Sequence, residues 1–189
     1  MSTVTINPAL NLVVPLNDKR SFVHCPPMTR EAFASCWSLL AKTWSRLEGD
    51  NLGITAGAAV AAYALADIAR QDDPEIPGSD AAYRSFMAEL RRNASYIGPM
   101  EEDGFGPVPL ATALKKGWIN DDDQDEIDNA LVFFTLGSRL LPKGRKKLIF
   151  SLMSKLRGVG ASSLSATEYA ASKQNSTQDA PTGATAEAS

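Results

Sequence analysis

The strongest hydrophobic pattern in the chain runs from Asn120 to Leu141 and predicts its central helix. Apolar residues recur at helical spacing, and others widen the stripe over most of the circumference. Carboxylates crowd the first turns, where they favour the positive end of the helix dipole. Pro142 and Gly144 then end the helix. We expect the rest of the domain to pack against it.

Two short apolar runs near the N-terminus predict a β-hairpin. They are Leu10–Leu16 and Ser21–Cys25, and the polar sequence Asn17–Arg20 between them is typical of a turn. Because proline cannot donate to a ladder, Pro8 and Pro15 favour an edge position for the first run.

A long amphipathic helix is predicted after the hairpin, from its N-cap Thr29 to its C-terminal stop at Gly49. Apolar residues recur at helical spacing through this whole stretch. They are Phe33, Cys36, Trp37, Leu40, Trp44 and Leu47. A tryptophan stripe is more often core than docking surface, so we expect Trp37 and Trp44 to face the core.

The middle of the chain predicts two further helices and a loop. Asn51–Arg70 is rich in alanine and glycine, which favours close helix–helix approach. After a segment with two prolines, Ser79 or Asp80 caps the next helix. Its apolar residues are Tyr83, Phe86, Met87 and Leu90, and the arginines expected to stay solvated are Arg70, Arg84, Arg91 and Arg92. Glycines and prolines predict a loop from Tyr96 to Val108.

The last part of the chain predicts two helices and a tail. A short helix follows Pro109 and ends at Gly117, and a clear amphipathic helix spans Lys146–Arg157. Beyond Ala161 the composition is mainly small and polar, with a short helix predicted at Ser165–Ser172 and disorder afterwards.

Together these elements predict a mainly α-helical single domain with an N-terminal β-hairpin and a disordered C-terminal tail. The hairpin segment covers residues 1–28, the helical core covers 29–160 and the flexible polar tail covers 161–189. With 189 residues and 44% hydrophobic side chains, the chain can bury one core.

Cysteine usage and hydropathy set the expected environment. A single pair, Cys25 and Cys36, without a signal peptide predicts reduced thiols in a cytosol. The longest uncharged run, Asn51–Ala66, contains alanine and glycine more than leucine. It falls short of the roughly 20 strongly apolar residues that span a bilayer, so we expect no membrane partner.

No set of residues predicts an enzyme, and we expect neither a cofactor nor a metal. His24 and Cys25 are neighbours on a strand, so their side chains point to opposite faces and cannot form a dyad. The acidic start of the central helix resembles a calcium loop, but Glu126 replaces the required glycine and Val132 the required glutamate. No phosphate-binding glycine motif is present in the sequence.

A basic segment from Pro142 to Arg157 directly follows the acidic helix and is the candidate binding surface. The candidate partner-binding residues are Lys143, Arg145, Lys146, Lys147, Leu148, Leu152 and Lys155. Three interpretations stay open: a solvated face that offsets the acidic cluster, a protein-binding surface, and a nucleic-acid contact. Little aromatic interleaving and an acidic isoelectric point disfavour nucleic acid.

The order of motifs resembles that of the tail assembly chaperones of long-tailed bacteriophages, from about Leu10 to Ala171. The motifs are SFVHCPPM, TREAF, PLATALKKGWINDDD, DNALVFFT and SSLSATEYAAS, followed by a polar tail. The resemblance implies a non-enzymatic helper in the host cytoplasm that is absent from the finished virion. Its implied partners are the tape measure protein, whose hydrophobic helices it keeps soluble, and the tail tube protein that assembles around them.

The resemblance also implies a longer form made by a translational frameshift, of which this chain is the short product. Self-association is compatible with it. Two other classes stay open: a structural virion protein, such as a head–tail connector or minor tail component, and a small helical nucleic-acid-binding regulator.

Overall fold

The computed structural model describes residues 10–18, 20–50, 52–72, 79–100, 104–141 and 160–178. The helices are α1 Arg30–Ser35, α2 Trp37–Gly49, α3 Gly53–Asp72, α4 Ala81–Asn93, α5 Leu110–Lys115, α6 Asp121–Leu140 and α7 Ala166–Gln178. The strands are β1 Asn11–Pro15, β2 Phe22–Cys25, β3 Ser95–Met100, β4 Gly104–Pro109 and β5 Gly160–Ser162. Helices hold most of the described residues, which confirms the helical character. The five-stranded sheet makes the prediction of a mainly α fold too narrow.

The strands form one antiparallel sheet in the order β4-β3-β2-β1-β5. The predicted hairpin is confirmed, because β1 pairs with β2, and Asp18 accepts the backbone N–H groups of Arg20 and Ser21 in the turn. The predicted edge position of β1 is wrong, since β5 pairs on its other side. Pro15 is tolerated because the described residues of β5 pair only with Asn11 to Val13.

The predicted loop from Tyr96 to Val108 is wrong, because this segment forms the hairpin of β3 and β4. The N–H of Leu110 donates to the carbonyl of Ala94, so alternate residues of β4 point their N–H groups toward β3. Pro107 and Pro109 occupy the intervening positions, where a missing N–H removes no bond to β3. Both prolines are therefore compatible with β4, because β4 is an edge strand of the sheet among the described residues.

Helix α6 is the centre of the helical layer, as predicted. The Asn120 side chain caps it by accepting the N–H of Asp123 at 2.7 Å, and every residue from Ile127 to Ser138 is buried. Helix α3 packs closely against it: a Cβ on Gly57 would lie 3.4 Å from the Phe133 ring. The Asn129 amide oxygen accepts the backbone N–H of Ala62 at 2.9 Å. The predicted close approach of the alanine-rich helix is confirmed.

The long helix predicted from Thr29 to Gly49 is interrupted at Cys36, which separates α1 from α2. Thr29 caps α1 as predicted, with its hydroxyl accepting the N–H of Ala32 at 3.2 Å. The Ser35 hydroxyl and the Cys36 thiol both donate to the Ala32 carbonyl. In a continuous helix the Cys36 N–H would donate to this Ala32 carbonyl. Because the two side chains occupy the carbonyl instead, the helix is interrupted at Cys36.

The prediction that Arg91 stays solvated is wrong, because Arg91 forms an ion pair with Asp128. Its guanidinium donates two hydrogen bonds to the Asp128 carboxylate, and the side chains are only 27% and 8% exposed. Burial raises the pKa of Asp128, and the Arg91 charge opposes this shift without cancelling it. The pair therefore ties α4 to α6 through a mostly buried polar contact.

The segment assigned to the tail contains the end of β5 and helix α7, which continues to Gln178. The short helix predicted at Ser165–Ser172 is confirmed, whereas the disorder predicted after it is wrong for residues 173–178. Ser165 and Glu168 form a capping box at the start of α7, with each side chain accepting the other residue's N–H. The Tyr169 ring then packs edge-on against Phe22, with ring centroids 5.6 Å apart. Helix α7 thus covers the sheet face opposite the helical layer. The predicted helix Lys146–Arg157 and the last residues, 179–189, lie outside the described residues.

His24 lies between the sheet and the start of α7 and is 2% exposed. Its Nε2 lies 3.0 Å from the Leu164 carbonyl, which also accepts from the Asn11 amide at 2.7 Å. Its buried Nδ1 has no hydrogen-bond partner among the described residues. Burial lowers the pKa of His24, and the bond to Leu164 only partly opposes this shift.

We expect the free energy of unfolding to fall as the pH decreases from 7 to 5. Because burial disfavours the charged imidazole in the folded state, the unfolded chain takes up the proton first, below the ordinary pKa of 6.5. One such group gives a slope of at most about 1.4 kcal/mol per pH unit. Urea unfolding at both pH values measures this slope, and the variant His24→Gln should flatten it because the chain holds one histidine. An equal slope in the variant contradicts the assignment.

Candidate functional site

An open groove of about 920 Å³ lies between α1, the start of α2 and α4. Its floor is apolar and includes Met28, Ala69 and Phe86, which are 3%, 1% and 5% exposed. These residues belong to the N-terminal segment, α3 and α4, so three distant parts of the chain build the floor. A concave apolar surface of this kind suits an apolar ligand.

Trp37 stands on the α2 side of the groove and is 57% exposed. The interruption at Cys36 places Trp37 at the first position of α2, so the residue does not continue the apolar stripe of α1. The prediction that Trp37 faces the core is therefore wrong. The prediction for Trp44 is confirmed, since its ring packs 6.3 Å from that of Phe133. An exposed tryptophan beside a concave apolar surface is the residue type that most often dominates binding energy.

The opposite side of the groove is formed by small residues of α4. Ala82, Ser85 and Ala88 line it at helical spacing and are exposed. Short side chains keep this wall low and allow another backbone to approach closely, as small residues do between packed helices. The shape therefore suits an elongated apolar ligand, such as one face of a helix, lying along α4.

Carboxylates outnumber cations among the charged residues that line the groove, which are Glu31, Asp72, Glu89 and Arg92. Arg92 donates to Glu89, and Asp72 accepts from Lys42 at 2.5 Å. Glu31 makes no ion pair with any described residue. The C-terminal end of α3, at Asp72, adds the negative end of a helix dipole. The rim of the groove is therefore negative.

The residues that line the groove include the thiol of Cys36. Burial raises the pKa of the Cys36 thiol, which disfavours the reactive thiolate at neutral pH. Outside the groove, burial raises the pKa of the Cys25 thiol to about 12. No group of three or more potential metal ligands lies together in the described part of the chain.

The acidic start of α6, which resembles a calcium loop in sequence, is used for packing. Asp123 accepts the backbone N–H of Asn17 at 3.2 Å, and Asp125 accepts the hydroxyl of Tyr63 at 2.6 Å. With the Arg91 pair, these bonds attach α6 to the β1–β2 turn, to α3 and to α4. Among the described helices, none has the length and apolar character needed to cross a membrane.

The candidate partner-binding residues of the basic segment all fall in 142–159, outside the described residues. They are Lys143, Arg145, Lys146, Lys147, Leu148, Leu152 and Lys155. The groove was not among the sequence predictions. One sequence signal points to the groove. Ser35 and Ser38 flank Cys36 and Trp37, and small polar residues at these positions indicate that the helix surface is solvated.

The chain matches no protein-family model, no curated protein and no solved structure. The resemblance to phage tail chaperones therefore stands on the sequence motifs. The groove is an observation from the structure and does not depend on these motifs.

Proposed function

We propose that this chain is a non-enzymatic tail assembly chaperone of a long-tailed bacteriophage. It binds the tape measure protein in the host cytoplasm and keeps that protein's hydrophobic helices soluble while tail tube subunits assemble around them. The open apolar groove beside Trp37 is the observation that carries the proposal. The order of sequence motifs supports it independently.

The physical requirements of such a chaperone agree with the groove. A client helix needs an apolar surface that shields its own stripe from water, and helix-in-groove binding provides one. The client must later be released, so each copy should bind with modest affinity. An open groove with one exposed aromatic anchor meets both requirements, because its ligand stays partly accessible to the incoming tube subunits.

Co-expression with the tape measure protein tests the proposal. We expect the soluble fraction of the tape measure protein to rise in the presence of this chain, and the variant Trp37→Ala to lose most of that effect. Truncation of an anchoring tryptophan costs about 2 kcal/mol of binding free energy, roughly 30-fold in affinity. Trp118→Ala is the matched control, since Trp118 is also exposed (39%) but packs against Tyr96 outside the groove. No gain in solubility with the wild-type chain overturns the proposal.

Purified particles separate the chaperone from the structural alternative. A chaperone is absent from mature virions, whereas a head–tail connector or minor tail component is present there at fixed stoichiometry. Mass spectrometry of purified virions measures the difference. A salt-dependent gel shift of DNA by the wild-type chain, lost when Lys143, Arg145 and Lys146 are replaced by alanine, favours a nucleic-acid-binding regulator instead.

A further inference from the structure

We infer that the groove accepts a single amphipathic helix whose apolar stripe is flanked by lysine or arginine. This inference rests on the proposed function, because it names the chemistry of the client helix that occupies the groove. It follows from the arrangement of apolar and charged side chains along the two walls.

The apolar part of the groove sets the first half of the specificity. Trp37 on one wall and Phe86 in the floor face the same space, and Met28 and Ala69 complete an apolar surface between them. A helix lying on this surface contacts it through residues spaced i, i+3, i+4 and i+7. Leucine, isoleucine or methionine at these positions extends far enough to fill the space beside the short side chains of α4.

The charged residues of the groove determine the second half of the specificity for the client helix. Glu31 on α1 and Glu89 on α4 both line the groove, so two helices bring carboxylates to the apolar floor. Arg92 is already paired with Glu89, whereas Glu31 has no ion-pair partner among the described residues. A lysine or arginine beside the client's apolar stripe can place its aliphatic stem on the floor and its charge at the rim. Acidic flanks instead place like charges opposite Glu31.

The end of α3 adds to the negative potential of the groove. Asp72, the last residue of this 20-residue helix, is one of the lining residues. The negative end of the helix dipole therefore adds to the Asp72 carboxylate. Because Lys42 already pairs with Asp72, we expect the strongest attraction for a client cation at Glu31.

Two labelled helical peptides test the inference by fluorescence anisotropy with the full chain. Both carry the same leucine stripe, and they differ only in lysine or glutamate at the flanking positions. At low salt we expect the lysine peptide to bind about tenfold more tightly. This ratio should shrink at 0.5 M salt, because the screening length falls from about 10 Å at 0.1 M toward a few ångströms.

Reversing the charge of Glu31 tests whether the groove causes the preference for the lysine peptide. We expect Glu31→Lys to reduce the lysine-over-glutamate ratio to about threefold or less. Glu48→Lys is the matched control, because Glu48 is an exposed glutamate of α2 that does not line the groove. If circular dichroism shows that Glu31→Lys is unfolded, Glu31→Gln provides the same test with a smaller expected change.

The outcomes separate this inference from the proposed function. Equal affinity for the two peptides, or an equal ratio in Glu31→Lys and the wild type, overturns the inference. So does a dimer of this chain that neither peptide dissociates, because a second copy then occupies the groove. In each of these cases the chaperone proposal stands if the tape measure protein is still solubilised, and it fails only if solubilisation is absent.

Discussion

Replacing Phe133 with alanine is expected to lower the free energy of unfolding by about 3–5 kcal/mol. The Phe133 ring is 2% exposed and lies in α6 where this helix meets α2 and α3. It contacts Trp44 on one side and approaches Gly57 on the other. Truncation removes a large buried apolar surface, and the backbones that surround it cannot collapse fully into the space.

Urea unfolding followed by circular dichroism measures this loss. The control is Phe105→Ala, which truncates the same residue type at a partly exposed position of β4 and should cost about 1 kcal/mol. Because a domain of this size is stable by only about 5–15 kcal/mol, Phe133→Ala should shift the unfolding midpoint strongly. Equal losses in the two variants contradict the central position of α6.

The second large effect is expected at Gly98, where Gly98→Ala should cost about 2–3 kcal/mol. Gly98 is buried in β3, and the Tyr96 side chain folds back over it. A Cβ at this position would lie 2.4 Å from the Tyr96 hydroxyl and 2.7 Å from the Ser21 hydroxyl. These two hydroxyls are themselves bonded at 2.8 Å, and Ser21 also donates to Asp18, so neither moves without loss.

A double variant identifies the cause of this loss. Tyr96→Phe removes the hydroxyl nearest to the new methyl group but keeps the ring carbon Cζ, which would lie 2.7 Å from it. Gly98→Ala should therefore cost somewhat less in that background than in the wild type. Gly160→Ala is the matched control on a strand, because among the described residues a Cβ there meets only Val13, at 4.0 Å. Simple additivity of Gly98→Ala and Tyr96→Phe contradicts the steric explanation.

The helical layer could be predicted from the sequence because its determinants are local. The apolar period and the Asn120 cap fix α6, and the small residues of α3 fix how closely the two helices approach. The hairpin of β3 and β4 could not be predicted in the same way. Its glycines and prolines favour a loop locally, and only its place at the end of the sheet makes Pro107 and Pro109 acceptable.

The candidate site was less predictable than the fold. The groove joins Glu31 and Trp37 to Phe86 and Glu89, which are about 50 residues away in the sequence and meet only in the folded chain. The exposure of Trp37 depends on the interruption at Cys36, where side-chain bonds to one carbonyl outweigh a continuous apolar period. Charge runs, by contrast, are visible in sequence, which is why the basic segment was the predicted surface.

The pairing of β1 with β5 has a consequence for synthesis of the protein. Asn11 bonds to Leu164 across 153 residues, so β1 acquires this neighbour only after the intervening residues have been synthesised. Until then one margin of β1 and the apolar face around Val13 stay uncovered on the ribosome. Such non-local pairing raises the contact order and slows folding. Completion of the sheet therefore has to wait until residues 160–162 have been synthesised.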